Sequence, residues 1–98
     1  MEKSKPHCPL STVKSLVRAG KLRLTMTAQT DAERLGFTRQ SVAEEILCLE
    51  RREFYKSMTT YRNSAVWQDV YRHSSRAGML YVKLTVIEDV LVVSFKEL

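Results

Sequence analysis

Seven residues in the second half of the chain are of types that handle phosphates and protons: Lys56, Met58, Gln68, Arg72, Tyr81, Lys83 and Lys96. What they can do together depends on which of them share a sheet face. Glu88-Asp89 is the only turn-like dipeptide between two β-rich runs, so Ile87 faces Val90 and the pairs continue outward from there. That register sets Tyr81 directly across from Lys96, at a Cβ separation of about 5 Å, with Lys83 one diagonal step away. The opposite face then carries Leu80, Val82, Leu84 and Val86 against Leu91, Val93 and Phe95 as the core side. A phenol beside lysines can trade protons with reacting oxygens while the ammonium groups hold a phosphate. The same arrangement also occurs as a plain aromatic–lysine pair on a wet sheet face, and the hairpin alone leaves both readings open.

The preceding hairpin supplies the remaining groups. Around the polar turn Arg62-Asn63-Ser64, pairing Tyr61 with Ala65 puts Lys56, Met58, Gln68, Val70 and Arg72 on one face. Trp67, Asp69 and Tyr71 fall on the other. Two cations and an amide on one face suit a phosphodiester and a base edge.

Other constellations give less. His7, His73, Cys8 and Cys48 are the only soft metal ligands, and no pair of them has zinc-site spacing. Glu44 and Glu45 are neighbours on a helical stretch and do not face one another. With Gly20, Gly36 and Gly78 alone there is no glycine-rich phosphate loop. Asp69 and His73 lack a placed nucleophile. Any catalysis therefore rests on Lys, Tyr, Gln and Arg, without metal or cofactor.

These residues need elements to position them. From Glu53 onward the pattern has period two and is rich in Tyr, Val, Thr and Phe, which predicts strands at 53–60, 66–72, 79–87 and 90–97. The first half reads as helices. Ser11 is a candidate N-cap and Gly20 a stop for a helix over 12–19, and Lys21–Met26 alternates like a short strand. Thr27 or Thr30 caps a helix through Leu35, ended by Gly36. Thr38 caps another, with Val42, Ile46, Leu47 and Leu49 on one stripe. Helices followed by strands predict an α+β domain, an antiparallel sheet with the N-terminal helices packed on it.

The whole chain, residues 1–98, reads as one small domain, able to bury roughly 60–70% of its unfolded surface. At 44% hydrophobic and 28% charged, the composition is that of a globular protein. No apolar run approaches the ~20 residues that span a bilayer, and Met1–Leu10 has no apolar signal region. Two cysteines without C-x-x-C spacing read as free thiols of a reducing compartment. Sixteen Lys and Arg against eleven Asp and Glu give a net charge of +5. The excess sits in two blocks, residues 1–23 and 51–83, each at +5, separated by an acidic stretch at −3 over 24–50. Segregated positive charge favours a polyanionic partner.

Over its full length the sequence resembles the MqsR family of bacterial toxins, ribonucleases of type II toxin–antitoxin systems. E-K-S-K-P-H and L-S-T-V-K-S-L-V-R-A-G open the resemblance. It is strongest in F-Y-K-S-M-T-T-Y (54–61), W-Q-D-V-Y-R (67–72) and Y-V-K-L-T-V-I-E-D-V-L-V-V-S-F-K-E (81–97). The resemblance implies a RelE-like fold and endoribonuclease cleavage of single-stranded messenger RNA at GCU-type sites in the bacterial cytoplasm. It implies Lys56, Gln68, Tyr81 and Lys96 as the catalytic set, with Met58, Arg72 and Lys83 lining the substrate. The implied partner is an MqsA-type antitoxin with a zinc-binding module and a helix-turn-helix module, through which alone operator DNA is reached. One departure is Glu88 at the hairpin turn, where a family relative carries histidine, so a histidine acid or base there is excluded. The competing readings are a non-catalytic basic regulator that binds nucleic acid through the same face, and a protein-interaction domain whose charge only keeps it in solution.

Overall fold

The computed structural model describes all residues, 1–98. Six strands form one sheet: β1 (Glu2–Lys3), β2 (Leu22–Leu24), β3 (Phe54–Thr59), β4 (Trp67–Ser75), β5 (Gly78–Val86) and β6 (Val90–Glu97). Their order is β1-β3-β4-β5-β6-β2. Every neighbouring pair is antiparallel except β2 and β6, which run parallel. Helices α1 (Leu10–Arg18), α2 (Met26–Arg34) and α3 (Arg39–Leu47) cover one face. The α+β reading therefore holds, with one parallel edge strand added to the expected antiparallel sheet.

The core lies between helices and sheet. Val13, Val17, Ala28, Ala32, Val42 and Ile46 meet Tyr71, Leu80, Val82, Leu84, Val90, Val92 and Phe95, all buried. Burying one such Val, Leu or Phe side chain contributes about 1.5–3 kcal/mol.

Helix boundaries depart from expectation for local reasons. α1 starts at Leu10, two residues earlier than a Ser11 cap allows, because Pro9 is the extended residue before it and Leu10 packs on the core. The strand expected over Lys21–Met26 ends at Leu24. Thr25, not Thr27 or Thr30, caps α2, its hydroxyl accepting from the Ala28 amide at 3.1 Å. Such a cap is worth about 1 kcal/mol. Thr38 caps α3 as expected, in a reciprocal pair with Ser41. On that helix Val42 and Ile46 are buried, as is Leu49 just beyond it, while Leu47 is only half-buried.

In the last hairpin, Tyr81 pairs with Lys96 and Lys83 with Ser94, as read from the sequence. Past Lys83 the register slips: Leu84 pairs with Val92 and Val86 with Val90, leaving Val93 unmatched. The turn is thus the three residues Ile87–Asp89, and Ile87 does not pair with Val90. A bulge moves every later side chain to the other face. Val90 and Val92 are fully buried in consequence, where Leu91 and Val93 were expected.

The start of the chain is tied beneath the sheet. Asp69, buried on the helix side, accepts from Ser57 Oγ at 2.6 Å and from the amides of His7 and Cys8 at 2.9 and 3.0 Å. Hydrogen bonds to a charged acceptor contribute roughly 1.5–3 kcal/mol each. This anchor lets β1 pair at the outer edge of β3, Glu2 with Met58 and Lys3 with Ser57.

A second buried polar group ties β4 to the scaffold. His73 Nδ1 lies 2.9 Å from Glu53 and its Nε2 2.6 Å from Glu45 of α3. Burial alone raises the Glu53 carboxyl. Hydrogen bonds from the Ser74 amide, His73 and the Glu50 amide outweigh it and hold that carboxyl below its ordinary value.

Candidate functional site

With helices on one face, the other face of the sheet is left to polar side chains. Alternation along β3, β4, β5 and β6 arranges them in cross-strand rows. Arg72, Tyr81 and Lys96 form one row across three strands. Lys56, Val70, Lys83 and Ser94 form the next across four. Met58 pairs with Gln68 in the third. All seven residues singled out in the sequence therefore share this face, in neighbouring rows.

Tyr81 occupies the centre of the cation cluster. Lys83 Nζ lies 5.8 Å and Lys96 Nζ 5.6 Å from its ring centroid. Both are within the range at which an ammonium is attracted to an aromatic ring. Desolvation by burial lowers the affinity of Lys83 for its proton, and the charges of Lys96 and Lys56 lower it further. Three ammonium groups thus act on one another. Like charges held together and partly out of water cost stability, and an arriving phosphate relieves that cost.

The apolar stems of these lysines have a structural task as well. Val70 is fully buried although it lies on this open face, outside the helix-side cluster. Lys56 and Lys83 flank it on the adjoining strands, and stems of this kind cover apolar surface while their heads stay in water.

Two members of the face were not legible in the sequence. Between Phe54 and Lys56 the β3–β4 register shifts, so that Phe54 pairs with Tyr71 and Lys56 with Val70. Strict alternation sends Tyr55 to the face opposite Lys56. The bulge instead brings it over Arg72, whose guanidinium carbon is 3.7 Å from the Tyr55 ring centroid. Lys56 Nζ is 5.3 Å from the same ring. The adjacent aromatic pair Phe54-Tyr55 was the one available signal, because only one of them can point into the core. The second is Glu2, whose carboxylate lies 3.3 Å from Lys56 Nζ. A two-residue strand carries no periodicity from which to foresee it.

The site is an open surface. The two larger cavities, of about 450 and 690 Å³, are lined by other residues. No three His, Cys, Asp or Glu side chains are placed to share a metal ion. The donor set of the face is ammonium, guanidinium, amide and phenol. Such a surface can grip a phosphodiester, present a proton donor or acceptor to it, and stack a base on Tyr55 and Arg72.

Comparison with known proteins points the same way. Residues 5–97 match the family described as motility quorum-sensing regulator, toxin of MqsA. The chain is 50% identical over 97 residues, 99% of each chain, to the mRNA interferase toxin MqsR of Escherichia coli (strain K12). Identity at this level across nearly every residue makes the protein a member of the MqsR toxin family.

Proposed function

We propose that the protein is a sequence-specific endoribonuclease that cuts single-stranded messenger RNA on the open face of its sheet. The observation that carries this reading is the row Arg72–Tyr81–Lys96 with Lys56 and Lys83 in the row beside it. The name of its 50% identical relative, an mRNA interferase toxin, supports it.

The chemistry needs no metal. The ribose 2′-hydroxyl attacks the adjacent phosphorus in line, forming the O2′–P bond as the P–O5′ bond breaks. The 2′-hydroxyl proton is lost and the 5′-oxygen gains one, giving a 2′,3′-cyclic phosphate and a free 5′-hydroxyl. Lys56 and Lys96, with Lys83, stabilise charge building on the non-bridging oxygens. Tyr81 exchanges a proton with one of the reacting oxygens. Gln68 orients the phosphate or a base edge. Tyr55 on Arg72 provides the stacking platform that unstacked RNA bases use, beside Met58. GCU-type sites are the expected targets.

The family description, toxin of MqsA, supports an MqsA-type antitoxin as the partner that neutralises the activity. In this scheme the antitoxin carries the zinc-binding and helix-turn-helix modules, and the toxin meets operator DNA only through it. The substrate places the protein in the bacterial cytoplasm, and no helix is long and apolar enough to cross a membrane.

Incubation of the protein with a GCU-containing single-stranded RNA in EDTA tests the scheme. Cleavage to cyclic-phosphate ends is expected, as is resistance when a 2′-deoxynucleotide stands 5′ of the cut. RNA that binds but stays intact would instead identify a non-catalytic nucleic-acid-binding regulator.

A further inference from the structure

Tyr55 reaches the open face through the bulge between Phe54 and Lys56, so it has no cross-strand partner of its own to hold it there. The residue before it, Phe54, pairs with Tyr71 on the helix side, and the ladder between β3 and β4 ends at that pair. β4 runs on through Arg72 to Ser75 while the other chain leaves as the short helical turn Arg51–Glu53. On the open face, Arg72 has no ion-pair partner to fix it beneath the Tyr55 ring. The position of this platform must therefore be set from elsewhere.

Behind the sheet, the Glu53 carboxylate takes the place of the missing ladder. It accepts from the Ser74 amide at 2.8 Å and lies 2.9 and 3.1 Å from His73 Nδ1, joining the backbone before Tyr55 to the strand that carries Arg72. The Glu50 amide donates to the same carboxylate at 2.9 Å and holds it in place. His73 is gripped from its far side by Glu45 of α3, 2.6 Å from Nε2. The His73 side chain is 3% and the Glu53 side chain 10% exposed, so water hardly competes for these bonds.

Both groups adjoin the platform in the chain yet face away from it. His73 pairs with Leu80 of the core, which leaves its neighbour Arg72 beside Tyr81 on the open side. Glu53 stands two residues before Tyr55, with Phe54 packed on the core between them. Binding constellations perform only when groups behind them lock their geometry to a fraction of an ångström. We infer that Glu53 and His73 are positioning residues for RNA binding, holding Tyr55 over Arg72 from the far side of the sheet. The inference rests on the stacking role given to Tyr55 in the proposed function.

Two substitutions at His73 separate its two bonds, because an Asn amide falls near Nδ1 and a Gln amide near Nε2. His73→Gln keeps Glu45 and releases Glu53. It should raise KM for a GCU-containing RNA by roughly 5-fold or more, a part of what one stacked base is worth, with kcat unchanged. His73→Asn keeps Glu53 and should restore most of the wild-type KM. In a Tyr55→Ala background, His73→Gln should add no further loss. Without RNA, the ring-current shift that Tyr55 imposes on the Arg72 side-chain protons should shrink in His73→Gln and persist in His73→Asn. Should His73→Gln not fold, Glu53→Asp, which withdraws the carboxylate by one methylene, carries the same expectations. Equal KM values in the two His73 variants, a further loss in the Tyr55→Ala background, or an unchanged Arg72 shift in His73→Gln would overturn the inference. A wild-type KM in Tyr55→Ala itself would overturn the stacking role, and the inference with it.

Discussion

Arg72 lies over the Tyr55 ring, its guanidinium carbon 3.7 Å from the ring centroid, although alternation along β3 would send Tyr55 to the other face. The bulge before Lys56 delivers this ring to the open face of the sheet. Base–aromatic stacking is worth about 1–3 kcal/mol per base, so Tyr55→Ala should lower kcat/KM for RNA by roughly 5- to 100-fold. The loss should fall mainly on KM. Tyr55→Phe should restore most of it. Steady-state kinetics on one GCU-containing oligonucleotide would check both variants.

Lys83 presents a trade between stability and activity. Its desolvation and the neighbouring charges of Lys96 and Lys56 disfavour its charged form in the folded state. A lysine whose folded pKa is depressed destabilises the fold at every pH below that pKa, where it is protonated in both states. The penalty fades as pH rises through it toward the unfolded value of about 10.4. Lys83→Met should therefore melt at a higher temperature than the wild type at pH 7, with the difference shrinking toward pH 10. The same variant should cleave RNA at least ~10-fold more slowly, having lost one phosphate-facing charge. Melting curves across pH, set beside initial rates, would reveal both effects.

In the proposed scheme, Glu2 competes with RNA for Lys56. Its carboxylate is 3.3 Å from the ammonium in the free protein, and it is more than half exposed. An exposed pair of this kind is worth at most about 1 kcal/mol. Glu2→Gln should accordingly lower KM for RNA by about 2- to 5-fold without raising kcat. Fluorescence anisotropy with a 2′-deoxy-substituted oligonucleotide, which cannot be cut, would measure the gain in affinity directly.

Acid should release the tie between β4 and the turn that precedes β3. The Glu53 carboxyl is held below its ordinary value: burial opposes its charge, but hydrogen bonds from the Ser74 amide, His73 and the Glu50 amide prevail. The stability that this contributes is fully present above the unfolded value of about 4.3 and disappears as pH falls through the lower folded value. Glu53→Gln should thus be less stable than the wild type at pH 7, with the gap narrowing below about pH 4. Urea midpoints at both pH values would show the convergence.

Tyr81 faces Lys96 as expected because the extra residue of the three-residue turn and the unmatched Val93 offset one another, restoring beyond the bulge the register that a two-residue turn gives. Strict alternation misassigned Leu91 and Val93, since one unmatched residue reverses the faces beyond it and leaves no trace in hydropathy. Tyr55 was lost to the same effect on β3. The helical half was readable through Gly20, Gly36 and Thr38, whose local roles do not depend on tertiary contacts. Pro9 and Thr25, by contrast, start helices at Leu10 and Met26, where the packing of Leu10 and Ala28 on the core requires them. Glu2 and the parallel pairing of β2 with β6 follow from long-range docking, to which a two- or three-residue strand gives no sequence clue.

In the proposed scheme, the phenol at the middle of the Arg72–Tyr81–Lys96 row moves a proton during RNA cleavage. Its most direct test is the single-turnover cleavage rate of Tyr81→Phe on a GCU-containing RNA in EDTA, with an unchanged melting temperature as control. General acid or base catalysis contributes about 10²–10⁴-fold, so a fall of at least ~100-fold is predicted. A wild-type rate in this variant would contradict the account.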